Sequence, residues 1–227
     1  MPKSLENWVK REILKTLLRI KRSEEYSLTK LSEETKISVE TIKDALMEIT
    51  DAVTVKNDTI SIAEHGRVQI AILCLNLAAD PSYISRYLDW REFEDFTAAI
   101  VNMYGYMVYR NYRFKSMDRR WEIDILAIKK PVLLCLNCKH FLKQSWTSLR
   151  KAALEELERA EALKQALPGL KLQPEPSKGW RILPAIVTLL TPKFKIYDKI
   201  PVVKVTELRN FLEELTLYVD SLRFLQL

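Results

Sequence analysis

Glycine is scarce in this chain of 227 residues, which holds only four. None falls in a Gly-x-Gly-x-x-Gly or Gly-x-x-x-x-Gly-Lys cluster, so no glycine-rich loop is available to wrap phosphates. Nucleotide-driven chemistry is therefore not expected. Histidine is scarcer still, with two residues, and three cysteines cannot make a fully paired disulfide framework. Cys135 and Cys138 do form a Cys-x-x-Cys pair, but on a strand residues three apart face opposite sides, so these sulfurs cannot meet. No second pair follows, and His140 is the only nearby imidazole. The thiols read as buried and structural, in a reducing compartment. Long apolar runs are also missing. Residues 70–79 are the longest, are broken by Asn76, and are too short to span a bilayer. Residues 1–10 are polar, without the apolar core of a secretory signal. A cytoplasmic protein without membrane contact is expected.

What is present suits a globular protein: 48% hydrophobic and 29% charged residues, with a net charge of +6 that permits an anionic partner. Few glycines with many charges is also a thermophile pattern. The length accommodates a small module followed by a medium domain. Residues 4–22 carry an amphipathic helix with Leu5, Trp8, Val9, Ile13, Leu17 and Ile20 as its apolar stripe. Lys10, Arg11, Lys15, Arg19, Lys21 and Arg22 make its exposed side basic. Ser27 and Ser38 each suit an N-cap, which predicts two short helices joined by a tight turn. Residues 53–62 then read as a hairpin turning at Asn57-Asp58. The presumed second helix exposes Lys43, yet also Glu40 and Asp44, which repel phosphates, so contact with DNA and contact with protein both stay open. Residues 66–79 read as an apolar connecting helix ended by Asp80-Pro81. It suits a brace or a dimer interface, leaving a homodimer open.

The chain's most informative stretch is residues 121–140, WEIDILAIKKPVLLCLNCKH. Two apolar runs flank Lys-Lys-Pro, which predicts a β-hairpin. Alternation sets Trp121, Ile123, Ile125 and Ala127 on one face of the first strand, with Glu122 and Asp124 on the other. On the second strand Leu134, Leu136 and Cys138 share one face, and Asn137 and Lys139 the other. An Asp and a Lys on such apolar strands need a reason, because a buried charge costs several kcal/mol unless paired or bound to metal. A structural Asp124–Lys139 ion pair is the simplest one. Before the hairpin lies a helix from about residue 90, with Phe93, Phe96, Ile100, Val101 and Tyr104 at core spacing and Glu94 at the stripe's edge. A strand at 107–114 follows, carrying Arg110 and Arg113, with Lys115, Arg119 and Arg120 across the next turn. Tyr109, Tyr112 and Phe114 interleave with the cations, which suits a nucleic-acid patch or a basic edge strand. Beyond the hairpin a long helix at 146–167, a surface loop at 168–178, strands at 180–190 and 200–205, and a helix at 207–220 complete the pattern.

Helix, hairpin and order resemble the core of the PD-(D/E)XK nuclease superfamily, close to Mrr-type restriction endonucleases and archaeal Holliday-junction resolvases. The resemblance covers roughly residues 88–215. In that superfamily an Asp on one strand is followed, past a short turn, by (Asp/Glu)-x-Lys on the next. Asp124 matches the first acid and Lys139 the lysine, while Glu94 matches the Glu of the preceding helix, with Glu92 in reserve. Asn137 departs from the pattern. Mrr-like enzymes carry an amide there too, but the change removes one negative charge. The resemblance implies that Asp124 is the central ligand of Mg²⁺ or Mn²⁺. The Asn137 amide oxygen and the Cys138 carbonyl would be lesser ligands, and Glu94 would act directly or through water. Lys139 would orient the nucleophile, and Glu122 could replace the charge missing at 137. Arg110, Arg113, Lys115, Arg119, Arg120 and Lys43 would contact DNA. Residues 1–63 similarly resemble a winged helix-turn-helix. The expected fold is α/β: an N-terminal winged helix-turn-helix at 1–63, a connecting helix at 64–81, and a restriction-endonuclease-like mixed sheet flanked by helices at 82–227. The expected function is a metal-dependent DNA endonuclease of repair, recombination or defence. The alternative is a winged-helix DNA- or protein-binding regulator with an inactive nuclease-like domain.

Overall fold

The computed structural model describes residues 3–21, 24–140 and 145–227; Arg22 and the side chain of Leu5 lie outside that description. The chain forms two compact units, Met1–Glu92 and Phe93–Leu227. The division falls inside a helix, past the boundary expected at residue 82.

The first unit contains α1 (Lys3–Leu17), β1 (Tyr26–Ser27), α2 (Leu28–Thr35), α3 (Val39–Met47), β2 (Val53–Lys56), β3 (Thr59–Ile62), α4 (Gly66–Asn76) and α5 (Pro81–Ser85). Both serine caps form as the sequence predicts: the Ser27 hydroxyl accepts from Lys30 N and the Ser38 hydroxyl from Thr41 N. The hairpin turns at Asn57, whose φ of 53° is left-handed, a conformation Asn tolerates better than most residues. A third strand joins it, giving the sheet order β1-β3-β2. The Asp58 carboxylate accepts from the Ser27 hydroxyl and from Thr29 N, tying the hairpin tip to the start of α2. On α1, Val9, Ile13, Leu14 and Leu17 are buried, whereas Trp8, expected in that stripe, is 44% exposed.

The expected connecting helix, α4, packs on α1 within this unit. Its first residue is glycine because a Cβ there would lie 2.2 Å from the Ala52 carbonyl oxygen. Arg67 beside it is buried and fully engaged, donating to Glu92 Oε1 at 3.0 Å and to the carbonyls of Ile20 and Tyr87. That satisfies the charge, which an apolar helix could not otherwise carry.

The division falls in α6 (Trp90–Met103), which leads into β4 (Met107–Ser116), β5 (Arg119–Lys129), β6 (Val132–Lys139), α7 (Trp146–Ala166), β7 (Arg181–Thr188), β8 (Ile196–Tyr197), β9 (Ile200–Lys204), α8 (Leu208–Glu214) and β10 (Leu225–Gln226). These strands form a mixed sheet ordered β4-β5-β6-β7-β9-β8, with β10 paired to β7. The pairs β6–β7 and β7–β9 are parallel and the others antiparallel. Central parallel strands are covered on both faces, which explains the continuous apolar runs of β6 and β7. Helix α7 is capped by Ser145 and covers one face. Its Ala160 and Leu163 meet Leu126, Ile128, Leu133, Cys135 and Ile182, while Leu149, Ala153 and Leu157 meet Ile186 and Val202. The fold is mixed α/β, with helices around a large mixed sheet.

Candidate active site

The ladder between β5 and β6 runs from Lys129–Val132 to Ile125–Leu136 and stops. Strand β6 continues on its other side, paired with β7 as far as Lys139–Thr188. The last residues of β6, Asn137, Cys138 and Lys139, therefore have a neighbouring strand on one side only. On the open side the Asp124 carboxylate takes the place of the missing backbone partner, accepting from Cys138 N at 2.9 Å.

Asp124 also sits at a break in β4–β5. Pairing holds at Arg110–Ile125 and Tyr112–Ile123, but Asn111 and Asp124 between them are unpaired. Asn111 has a φ of 48°. Both strands change phase there. Trp121 and Ile123 pack in the same cluster as Leu126 and Ile128, on the side covered by α7. Tyr109 and Tyr112 join that cluster too, with ring centroids 5.7 Å apart, although residues three apart face opposite sides of a regular strand. The expected face of Trp121, Ile123, Ile125 and Ala127 is thus split, because the pleat slips at Asp124. Such irregularities re-aim side chains next to functional sites.

Electrostatics bring the remaining groups together. Burial raises the Asp124 carboxyl above its ordinary range; the Cys138 N–H bond and the charges of Lys139 and Arg159 oppose that rise. Glu94 on α6 is pushed up to about 7 by burial, then by Asp124, Asp95 and Glu122, with Lys139 pulling the other way. Asp124, Glu94 and Lys139 therefore share one field. Asn137 is 1% exposed, and its Oδ1 has no hydrogen-bond partner among the described residues. An unpartnered buried acceptor costs about 1–3 kcal/mol, and a donor or a cation at this oxygen would offset that cost. Cys138 is a buried free thiol pushed well up by burial, and Cys135 likewise, as the strand geometry implied. Glu92, the reserve for Glu94, is committed to Arg67 and to Asp89 N at the start of α6. Glu122 is partly exposed and bound to Arg113 Nε at 2.8 Å.

Two groups escaped the sequence reading, Glu156 and Arg159 of α7. Glu156 is fully buried and pushed up to about 7 by burial, opposed by Arg159, with Asp124 adding to the rise and Asn137 among its hydrogen-bond neighbours. Arg159 Nη1 donates to Glu156 Oε2 at 2.9 Å. The signal was present in the sequence: Glu156 interrupts the stripe Leu149, Ala152, Ala153, Leu157, Ala160, Leu163 at core spacing.

The expected DNA contacts divide into two sets. Arg110 is bound by Asp95, Arg113 by Glu122, and Lys115 by Asp118 at 3.0 Å. Arg119 instead lies over the Trp121 ring at 3.9 Å. Arg120 has no carboxylate partner among the described residues. Arg119 and Trp121 line a groove of about 660 Å³ with Arg150, Lys151, Arg159 and Tyr197, and Glu155 and Glu158 line it as well. Lys43 is exposed on α3 in the first unit.

For a hard divalent cation the donors are oxygens of the right chemistry: Asp124, the orphaned Asn137 amide, the Cys138 carbonyl and Glu94. Among the described residues, no three His, Cys, Asp or Glu lie close enough together to hold a metal ion, so such a site depends on the amide oxygen, backbone and water. Among them, too, no helix is long and apolar enough to cross a membrane.

No family model matches the chain. It is 25% identical over 138 residues to an uncharacterized protein of Archaeoglobus fulgidus, a match covering 60% of this chain and 98% of that protein. Protein VC1899 from Vibrio cholerae, a crystal structure, is similar over 96% of this chain at 12% identity and a TM-score of 0.37. The chain spans 55% of that protein's length.

Proposed function

We propose that this protein is a metal-dependent DNA endonuclease of the PD-(D/E)XK type, carrying a winged helix in its first unit and acting in repair, recombination or defence in the cytoplasm. The observation that carries this reading is the open end of β5 and β6, where Asp124, Lys139 and Glu94 share one electrostatic field. Asp124 and the Asn137 amide oxygen would hold Mg²⁺ or Mn²⁺, with the Cys138 carbonyl in support and Glu94 acting directly or through water. Bound there, the cation supplies positive charge for phosphate oxygens and acidity for an attacking water. Lys139, at the free end of β6, donates to a phosphate oxygen and offsets its charge. Glu94, with a proton affinity near neutrality, accepts the proton released by the attacking water.

The test is cleavage of plasmid, single-stranded and four-way-junction DNA with and without Mg²⁺ or Mn²⁺. Metal-dependent cutting of at least one of these substrates is expected. Wild-type protein that cuts none of these at millimolar metal would overturn the reading. A second reading, a DNA- or protein-binding regulator built on an inactive nuclease-like domain, is favoured by Asn137 standing where an acid is usual. Asn137→Glu separates the two. In an active enzyme it lowers the metal concentration needed, whereas in a disarmed one it creates activity from none.

Backbone contacts give affinity without sequence choice. Arg110 and Arg113 are already paired within the protein, so Arg119 and Arg120 should dominate DNA binding. Arg119→Ala and Arg120→Ala should each flatten the dependence of log K on log salt by about one unit, for all sequences alike. Anisotropy titrations at several salt concentrations check this, and an unchanged slope would place the duplex elsewhere.

A further inference from the structure

Helix α7 buries an apolar stripe against the sheet, and Glu156 is the one carboxylate set into it. Among the described residues only one of its oxygens is accounted for: Oε2 receives the Arg159 guanidinium at 2.9 Å, while Oε1 is buried with no partner. The Asn137 side chain, 1% exposed, is a hydrogen-bonding neighbour of this carboxyl, and among the described residues its own Oδ1 is equally unpartnered. Neither oxygen is exposed to water, so each is open to a proton, a donor or a cation. The charge on Asp124 acts on the same carboxyl. Asp124 at the break in β5, Asn137 at the end of β6 and Glu156 on the covering helix thus bring two carboxylates and an amide to one end of the sheet, with the Asn137 and Glu156 oxygens unpartnered among the described residues. A hard divalent cation takes such a mixed oxygen set and completes its shell with water.

We propose that Glu156 supplies the second carboxylate of the divalent-cation site, in place of the acid that position 137 lacks. The proposal rests on the metal-dependent reading above and deepens it. Glu122 is the weaker source of that charge, being exposed and bound to Arg113. An ion pair with Arg159 alone does not account for Glu156 either, since it engages Oε2 and leaves Oε1 without a partner among the described residues.

The experiment is Mn²⁺ titration of the full chain, followed by calorimetry and by electron paramagnetic resonance. Wild type, Asp124→Asn, Glu156→Gln and the double variant Glu156→Gln/Asn137→Asp are compared. Glu156→Gln should weaken Mn²⁺ binding roughly 10- to 100-fold. The double variant should recover most of that loss, because it returns a carboxylate to the neighbouring position of the same site. If Glu156→Gln binds like wild type while Asp124→Asn does not, Glu156 is only a structural partner of Arg159. The proposal then fails and the metal-dependent reading stands. If wild type binds no Mn²⁺ at millimolar concentration, both fail. Should Glu156→Gln not melt cooperatively, Glu156→Asp keeps a charge beside Arg159 and withdraws it one methylene from Asn137. Weakened binding by that variant supports the proposal, and wild-type affinity overturns it.

Discussion

Asp124→Ala and Lys139→Ala should each reduce DNA cleavage by roughly three orders of magnitude. Holding the cation and stabilising the charge that develops on the phosphate are each worth several kcal/mol, and about 1.4 kcal/mol is a factor of ten. The two variants should differ in what they do to the fold. Asp124 accepts from Cys138 N, so alanine leaves a backbone donor without its partner, at about 1–3 kcal/mol. Asp124→Asn keeps an acceptor for that N–H and removes a charge whose burial is unfavourable, so it isolates the chemistry from the structure. DNA affinity should hold or rise in Asp124→Asn, since a phosphate-repelling charge is gone. Cleavage rates and anisotropy titrations measured side by side check both halves, and wild-type cleavage by Asp124→Asn or Lys139→Ala would remove those residues from the reaction.

Much of the architecture was legible because it rests on local rules. Ser27 and Ser38 cap helices where capping chemistry places them, Asn57 turns the hairpin, and the apolar runs of β6 and β7 report strands covered on both faces. The same rules failed where tertiary packing decides the outcome. Alternation along residues 121–127 assumes a regular pleat, yet the unpaired Asn111 and Asp124 let both strands slip in phase, and neither residue type announces this. The slip aims Asp124 at the end of β6, so the error and the candidate site coincide. Trp8 fits the α1 stripe by spacing but stays exposed, because periodicity ranks faces without saying how far the packed surface extends. Arg113 and Glu122 each looked free for a ligand, but they oppose one another across β4 and β5 and so pair. Cross-strand register is what the sequence could not supply. Glu156 is a different case: its place in an apolar stripe was visible, and an Ala- and Leu-rich helix simply invites an acid to be read as solvated.

Buried without solvent, Glu156 should make the metal-free protein lose stability as pH rises. Its carboxyl is held at about 7, against an ordinary value of 4.5, with burial the leading cause. The folded state therefore binds the proton more tightly than the unfolded chain. Below pH 4.5 both states are protonated and nothing is lost. Between 4.5 and about 7 folding must hold a proton that the unfolded chain releases, so stability falls across that window and levels off above it. The full difference is on the order of 3 kcal/mol. Glu94 titrates in the same range but is partly exposed, and solvent screening makes its share smaller. Glu156→Gln isolates the buried group, since the amide never ionises and occupies the same volume. Urea denaturation of metal-free wild type and variant at pH 4.5 and pH 8 measures the effect. The variant should match wild type within about 1 kcal/mol at the lower pH and exceed it by a few kcal/mol at the higher. A gap that is the same at both pH values would mean that Glu156 is already ionised throughout, held so by Arg159, and that its burial imposes no such penalty.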